Sequence, residues 1–119
     1  MSNLPVQVEY TALFIRFLKH VAKKYRNVRD DLQPLIDRLA SGETPGDQIQ
    51  HVKRTVYKVR IPNRDAQKGK SGGYRVIYYV KTSARVVLLA IYSKSEQTDV
   101  PTDEILKMIE AFEDTEDTL

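Results

Sequence analysis

The chain has 119 residues, 41% of them hydrophobic, and no cysteine. One domain with one modest core fits that length, and disulfides and thiolate metal sites are excluded. No stretch approaches the roughly 18 apolar residues of a transmembrane helix, and Met1-Ser2-Asn3-Leu4-Pro5 is unlike a signal peptide, so a cytoplasmic protein without a membrane partner is expected. The net charge of +3 conceals four blocks: +5 over residues 1–29, −4 over 30–47, +10 over 48–94 and −8 over 95–119. A block at +10 calls for a polyanionic partner, phosphates first among them, or for an acidic tail folded against it.

In chain order, Val6 to Tyr10 alternates as a short half-buried strand. Thr11 is placed to cap an amphipathic helix in which Phe14, Phe17, Leu18, Val21 and Tyr25 recur at helical spacing, with Arg16, Lys19, His20 and Lys23 on another face. A second helix carries Leu32, Leu35, Ile36 and Leu39. Pro34 is tolerated in a first turn, which makes Asp30 or Asp31 the expected cap, and Gly42 stops the helix. The two read as a hairpin with one apolar side. Residues 42–54 read as a loop.

The period then changes to 2. Thr55–Ile61 is a strand with Tyr57, Val59 and Ile61 on one face and Val56, Lys58 and Arg60 on the other. Residues 63–73 form a basic loop containing glycine. Tyr74–Lys81 is a second strand, and Val86–Tyr92 a third, apolar almost throughout as befits a strand covered on both faces. A helix follows over Thr102–Phe112, with Ile105, Ile109 and Phe112 on its apolar side. The acidic end, 113–119, is expected to fray. The fold class is therefore α+β: a small antiparallel sheet with an N-terminal helix hairpin on one face and a C-terminal helix, in a single domain spanning 1–119. The other sheet face is left to Lys58 and Arg60.

Gly69-Lys70-Ser71 is no P-loop: Arg64 stands where the first glycine belongs, and a strand follows instead of a helix. Lys58 and Arg60 share a strand face, an expensive place to gather like charges. Arg75 can join them from the next strand, although the register that decides this is not legible. Arg64, Lys68, Lys70 and Lys94 can ring the same area, and Tyr92 ends the last strand beside Ser93 and Lys94. His20 and His51 lie far apart and read as surface residues. No Asp/Glu/His grouping has metal-ligand spacing, so neither metal nor cofactor is expected.

Three runs then stand out: Val56-Tyr57-Lys58-Val59-Arg60-Ile61-Pro62-Asn63, Lys68 through Gly72-Gly73-Tyr74-Arg75-Val76-Ile77-Tyr78-Tyr79, and Ile91-Tyr92-Ser93-Lys94-Ser95-Glu96. They resemble the RelE/ParE toxin superfamily, most nearly its HigB-like branch. The resemblance follows the element order of the whole chain, with its motif strength confined to 56–96. It implies a toxin of a type II toxin–antitoxin pair that cleaves messenger RNA on the ribosome. It also implies a cognate antitoxin, often of helix-turn-helix type. The implied catalytic residues are Lys58, Arg60 and Arg75, with Tyr92 or Lys94 substituting for positions that depart from the RelE pattern. In RelE an arginine follows the last strand and a tyrosine lies near the C-terminal helix; here Ser95 and the neighbourhood of Pro101 stand in those places. Arg64, Lys68 and Lys70 are expected to bind RNA or ribosome.

Metal-independent cleavage through the RNA's own 2′-hydroxyl needs a base, charge stabilisation and an acid. Arginine cannot be the base, so Arg60 and Arg75 stabilise charge and Lys58 is the candidate base. The competing reading is a ParE-like toxin that binds DNA gyrase without nuclease activity, and the basic sheet residues speak against it. The antitoxin has two candidate surfaces, the basic sheet face and the helix hairpin over 12–41, with a preference for binding that leaves the catalytic face partly open.

Overall fold

The computed structural model describes residues 5–64, 73–96 and 99–117. In chain order the elements are β1 (Gln7–Tyr10), α1 (Ala12–Lys24), α2 (Val28–Ala40), β2 (Asp47–Gln48), β3 (Val56–Ile61), β4 (Tyr74–Thr82), β5 (Arg85–Ser93) and α3 (Thr102–Asp117). The strands make one sheet in the order β1-β5-β4-β3-β2. The class is α+β as expected, but the sheet is mixed: β2 to β5 pair antiparallel, whereas β1 runs parallel to β5. The two-residue β2 arises inside the segment expected to be loop.

Thr11 caps α1 as its position suggests, its hydroxyl oxygen accepting from the Phe14 amide at 2.9 Å. The cap expected for α2 is corrected. The helix starts at Val28 with Asn27 before it, and Asp30 and Asp31 fall in its first turn. Val28 is fully buried, so its packing holds the extra turn. Pro34 consequently lies inside α2, where its missing N–H removes one helix bond.

Two cores sandwich the sheet. Phe14, Leu18 and Val21 of α1 and Leu32, Leu35 and Leu39 of α2 pack on Val59, Val76, Tyr78 and Leu88. Ile105 and Ile109 of α3, with Val52 and Val100, cover Val56, Ile77, Tyr79 and Leu89 on the other face. That second face is therefore not left open, as the sequence suggested. It is divided along the strands: apolar beneath α3, and basic where Lys58, Arg60 and Arg75 replace the apolar residues.

Of the acidic end expected to fray, residues 113–117 are helical and 118–119 lie outside the described residues. α3 continues to Asp117, and Glu113 and Glu116 are tied to the sheet. Lys81 Nζ lies 2.6 Å from Glu116, Arg85 lies 2.5 Å from the same carboxylate, and the Tyr79 hydroxyl donates to Glu113 at 2.9 Å. These partners hold the last turns that an isolated acidic run would lose.

Candidate nucleic-acid interface

The register settles which residues face one another. Lys58 lies opposite Ile77, Arg60 opposite Arg75, and Arg75 opposite Tyr92. A register shift between Ile77 and Tyr78 pairs Ile77 with Ala90 and Tyr78 with Leu88, so β5 bulges at Leu89. Leu89 and Ala90 both point into the second core, and every later side chain changes face. The bulge is thus what brings Tyr92 to the side of Arg75. Lys58, Arg60, Arg75 and Tyr92 form one patch on the half of the face that α3 leaves uncovered.

Gly73 opens β4 beside the patch at φ +65°, and a Cβ there would lie 2.1 Å from the Ile61 carbonyl oxygen. Only glycine lets β4 begin this close to the end of β3, which accounts for the glycine before Tyr74-Arg75.

The sequence surrounds Lys58 with cations alone, but the structure adds a carboxylate. Lys58 Nζ donates to Asp99 Oδ1 at 3.3 Å, and both side chains are reachable from solvent. Partial burial alone would raise the Asp99 carboxyl. The Val100 amide and the Lys58 ammonium outweigh it and hold Asp99 below the usual carboxylate range. Tyr92 is buried, at 3% exposure. Burial pushes its phenol up to about 12; Asp99 adds to the shift and Arg75 opposes it. Tyr92 therefore stays protonated at neutral pH. Asp99 belongs to no motif, and its position in an acidic stretch gave no signal of this role.

The surrounding basic residues are not brought together equally. Arg64 is tied to α2: its Nε lies 2.9 Å from Asp31 Oδ1, and its backbone N–H donates to Asp31 Oδ2 at 3.1 Å. Asp31 is fully enclosed while the Arg64 side chain is 64% exposed, so the buried carboxylate anchors an arginine whose far end remains free to meet a ligand. A cleft of about 150 Å³ between α2 and the end of β3 is bordered by Asp31, Arg38, Arg60 and Arg64. Lys94 is exposed in the turn after β5, its amide donating to the Gly73 carbonyl at 3.5 Å. Lys68 and Lys70 lie outside the described residues.

On the opposite side of this turn stands Tyr25, which follows α1. Its ring meets Tyr74 edge-on at 5.8 Å. Burial would raise its phenol, but hydrogen bonds with Ser95 and Ser93 and the charge of Lys24 lower it overall. His20 and His51 are both exposed, and His20 lies 3.8 Å from Glu96. No three His, Asp or Glu side chains converge as metal ligands among the described residues. No helix among them is long and apolar enough to cross a membrane.

Known proteins are similar in the same sense. A sequence model for the family described as "RelE toxin of RelE / RelB toxin-antitoxin system" matches residues 13–117. No curated protein matches the chain. Among solved structures, a free-state mutant of the E. coli toxin RelE, with two arginines replaced by alanine, superposes with a TM-score of 0.51 at 20% identity. The match covers 78% of this chain and 87% of that one, and it shows a shared fold. The family match spans nearly the whole sheet and all three helices, and with it comes a cognate antitoxin as partner: the chain belongs to the RelE toxin family of toxin–antitoxin systems.

Proposed function

We propose that the protein is a metal-independent endoribonuclease that cleaves messenger RNA on the ribosome in the cytoplasm, and that a cognate antitoxin of helix-turn-helix type restrains it. The observation that carries this reading is the alignment of Arg60 opposite Arg75 on the part of the sheet face that α3 does not cover, beside the Lys58–Asp99 pair. Two guanidiniums fixed on adjacent strands can receive the non-bridging oxygens of a phosphate and stabilise the charge that builds on a phosphorane.

The 2′-oxygen attacks phosphorus and the 5′-oxygen leaves. Asp99, exposed and ionised, takes the 2′-hydroxyl proton. Lys58, held as an ammonium partner at 3.3 Å, delivers a proton to the leaving 5′-oxygen. Lys58 is placed as the acid of the couple because Asp99, 3.3 Å away, is the proton acceptor beside it. Tyr92 is too buried to touch RNA, and its hydroxyl finds no hydrogen-bond partner among the described residues, so it packs beside Arg75 and supports the patch without taking part in proton transfer. Lys94, Arg64, Lys68 and Lys70 bind the message or ribosome around this centre. So open a face cannot by itself orient a flexible RNA strand, which is why the ribosome enters the proposal.

In vitro translation with primer-extension mapping tests it. Cleavage that appears only with ribosomes is expected. Intact message during full growth inhibition, accompanied by loss of gyrase supercoiling, would instead assign a toxin that acts by binding.

A further inference from the structure

β1 is too short to cover β5. It pairs from Gln7 to Tyr10 with Arg85 to Leu88, and the Thr11 N–H donates to the Leu88 carbonyl at 3.3 Å. Beyond Leu88, β5 has α1 for a neighbour on that side instead of a strand. The Lys94 N–H donates to the Gly73 carbonyl across the β4–β5 ladder, and bonded pairs alternate along antiparallel strands. Tyr92 therefore turns its backbone groups toward β4, and Ile91 turns its N–H and C=O toward α1.

A cavity of about 370 Å³ lies there, between α1 and the end of β5. Sites for small organic ligands span roughly 300–1,000 Å³. Phe17 and Ile91 give it apolar walls, and Arg16, His20 and Glu96 border it. His20 lies 3.8 Å from Glu96, and both side chains are exposed, at 68% and 40%, so neither is closed off from a ligand. A packing gap would be lined by apolar groups alone. This one has a carboxylate, a guanidinium and a free strand edge. Tyr92 closes its inner end and lies opposite Arg75 on β4, so the cavity adjoins the basic patch at about one strand spacing, ~4.8 Å. Phe17 and Glu96 take no part in the chemistry proposed above.

We propose that this cavity is a base-reading site that takes one unstacked guanine of the single-stranded message, with Glu96 as the residue that selects it. A carboxylate only accepts hydrogen bonds. Guanine alone presents two adjacent donors, N1–H and the N2 amino group, on its pairing edge. Adenine and cytosine set one donor beside a ring-nitrogen acceptor, and uracil flanks its N–H with two carbonyls, so each turns a lone pair toward Glu96. Arg16, one turn before His20 on α1, is the donor for guanine O6 and N7. Phe17 offers the aromatic surface on which a splayed base stacks, and the Ile91 edge supplies one further donor and acceptor. The proposal rests on the RNA reading of the patch and adds the base it prefers beside the phosphate held by Arg60 and Arg75.

The test is binding of the four nucleoside 5′-monophosphates to the intact toxin, read by isothermal titration and by amide shifts in NMR spectra of labelled protein. All four carry the same phosphate, so the base is what separates them. Guanosine monophosphate is expected to bind at least about tenfold more tightly than the other three, with shifts at Ile91 and Glu96. Inosine monophosphate, which lacks the 2-amino group, should lose most of that advantage. Glu96→Gln, with its fold checked by circular dichroism, should lose it as well, because the amide sets a donor where guanine needs an acceptor. On translating ribosomes wild type should cut message beside guanine, and the Gln variant should lose that bias. Equal affinity for the four nucleotides, or a Gln variant that keeps the guanine preference, overturns the inference even if wild type cleaves message. A guanine preference that Glu96 carries upholds it even if wild type cleaves nothing, and then the nuclease reading fails instead. Shifts at the cavity with the cognate antitoxin and with no nucleotide make it a protein contact, and overturn the inference as well.

Discussion

The two ends of the central strands carry the same kinds of residue and use them oppositely. At one end Arg54, Lys81 and Arg85 are neutralised by Glu9, Glu113 and Glu116. The Arg85 guanidinium alone donates two hydrogen bonds to Glu9, at 2.6 and 2.8 Å, and another to Glu116, while Arg54 lies 3.6 Å from Glu113. At the other end Arg60 faces Arg75, and Lys58 meets the exposed Asp99. Both sets come from the same +10 block, so a count of charges cannot separate cations that fasten a helix from cations gathered on the sheet face. The placement does: Arg85 and Lys81 are closed over by carboxylates of β1 and α3, whereas Arg60 and Arg75 lie opposite each other on the part of the face that α3 does not cover and concentrate positive charge there.

Replacing one arginine at each end sharpens this contrast, and carries the largest expected effect. Arg60→Ala should lower ribosome-dependent cleavage by about 10²–10³ and leave the urea midpoint unchanged. Arg85→Ala should do the reverse, retaining cleavage while losing about 1 kcal/mol of stability, since its partners are partly solvated. Cleavage rates and urea titrations of both variants decide it, and equal activity losses would break the division.

Asp99→Asn comes next. It keeps the shape of the side chain and removes the proton acceptor, so the chemical step should slow by about 10² with ribosome binding unchanged. Single-turnover cleavage measures the step, and a full-rate Asn variant would return Asp99 to an incidental surface partner of Lys58.

The smallest effect concerns pH at the neutralised end. Hydrogen bonds from Lys81 and Arg85 lower the Glu116 carboxyl, so its stabilising contribution is present above the unfolded glutamate value of about 4.3 and is lost as pH falls through the lower folded value. The Lys81 ammonium is raised, chiefly by Glu116, so its contribution is complete below about 10.4 and disappears only as pH rises through the raised folded value. The attachment of α3 should therefore hold across neutral pH and weaken in acid. Between pH 5 and pH 3 the urea midpoint should fall further in wild type than in Glu116→Gln. Identical falls would show that these pairs do not anchor the helix.

Much of this arrangement was legible in the sequence because it is local. The alternation of Tyr57, Val59 and Ile61 against Lys58 and Arg60 fixed which residues share a face, and Thr11 announced α1. The illegible parts depend on distant partners. β1 pairs with β5 across some 76 residues, as in the Arg85–Glu9 contact, and no neighbouring residue records that direction. The bulge at Leu89 is hidden in a run that is apolar on both faces, and it alone determines the side on which Tyr92 stands. Acids in a charge run look solvated, so neither Asp99 beside Lys58 nor Glu113 and Glu116 over the sheet could be told from their neighbours. α2 began early because Val28 is buried, a tertiary contact that outweighed the capping preference of Asp30 and Asp31.

The most direct test of the central claim is the Arg60→Ala, Arg75→Ala double variant, purified with its fold verified by circular dichroism and urea unfolding and then added to translating ribosomes. Both side chains lie on the polar half of the sheet face, so little packing is lost. Primer extension should show message cut by wild type and left intact by the folded double variant, and expression of that variant should no longer arrest growth. A folded double variant that still cuts message, or still arrests growth at the wild-type level, would contradict the assignment of this sheet face as the nuclease centre.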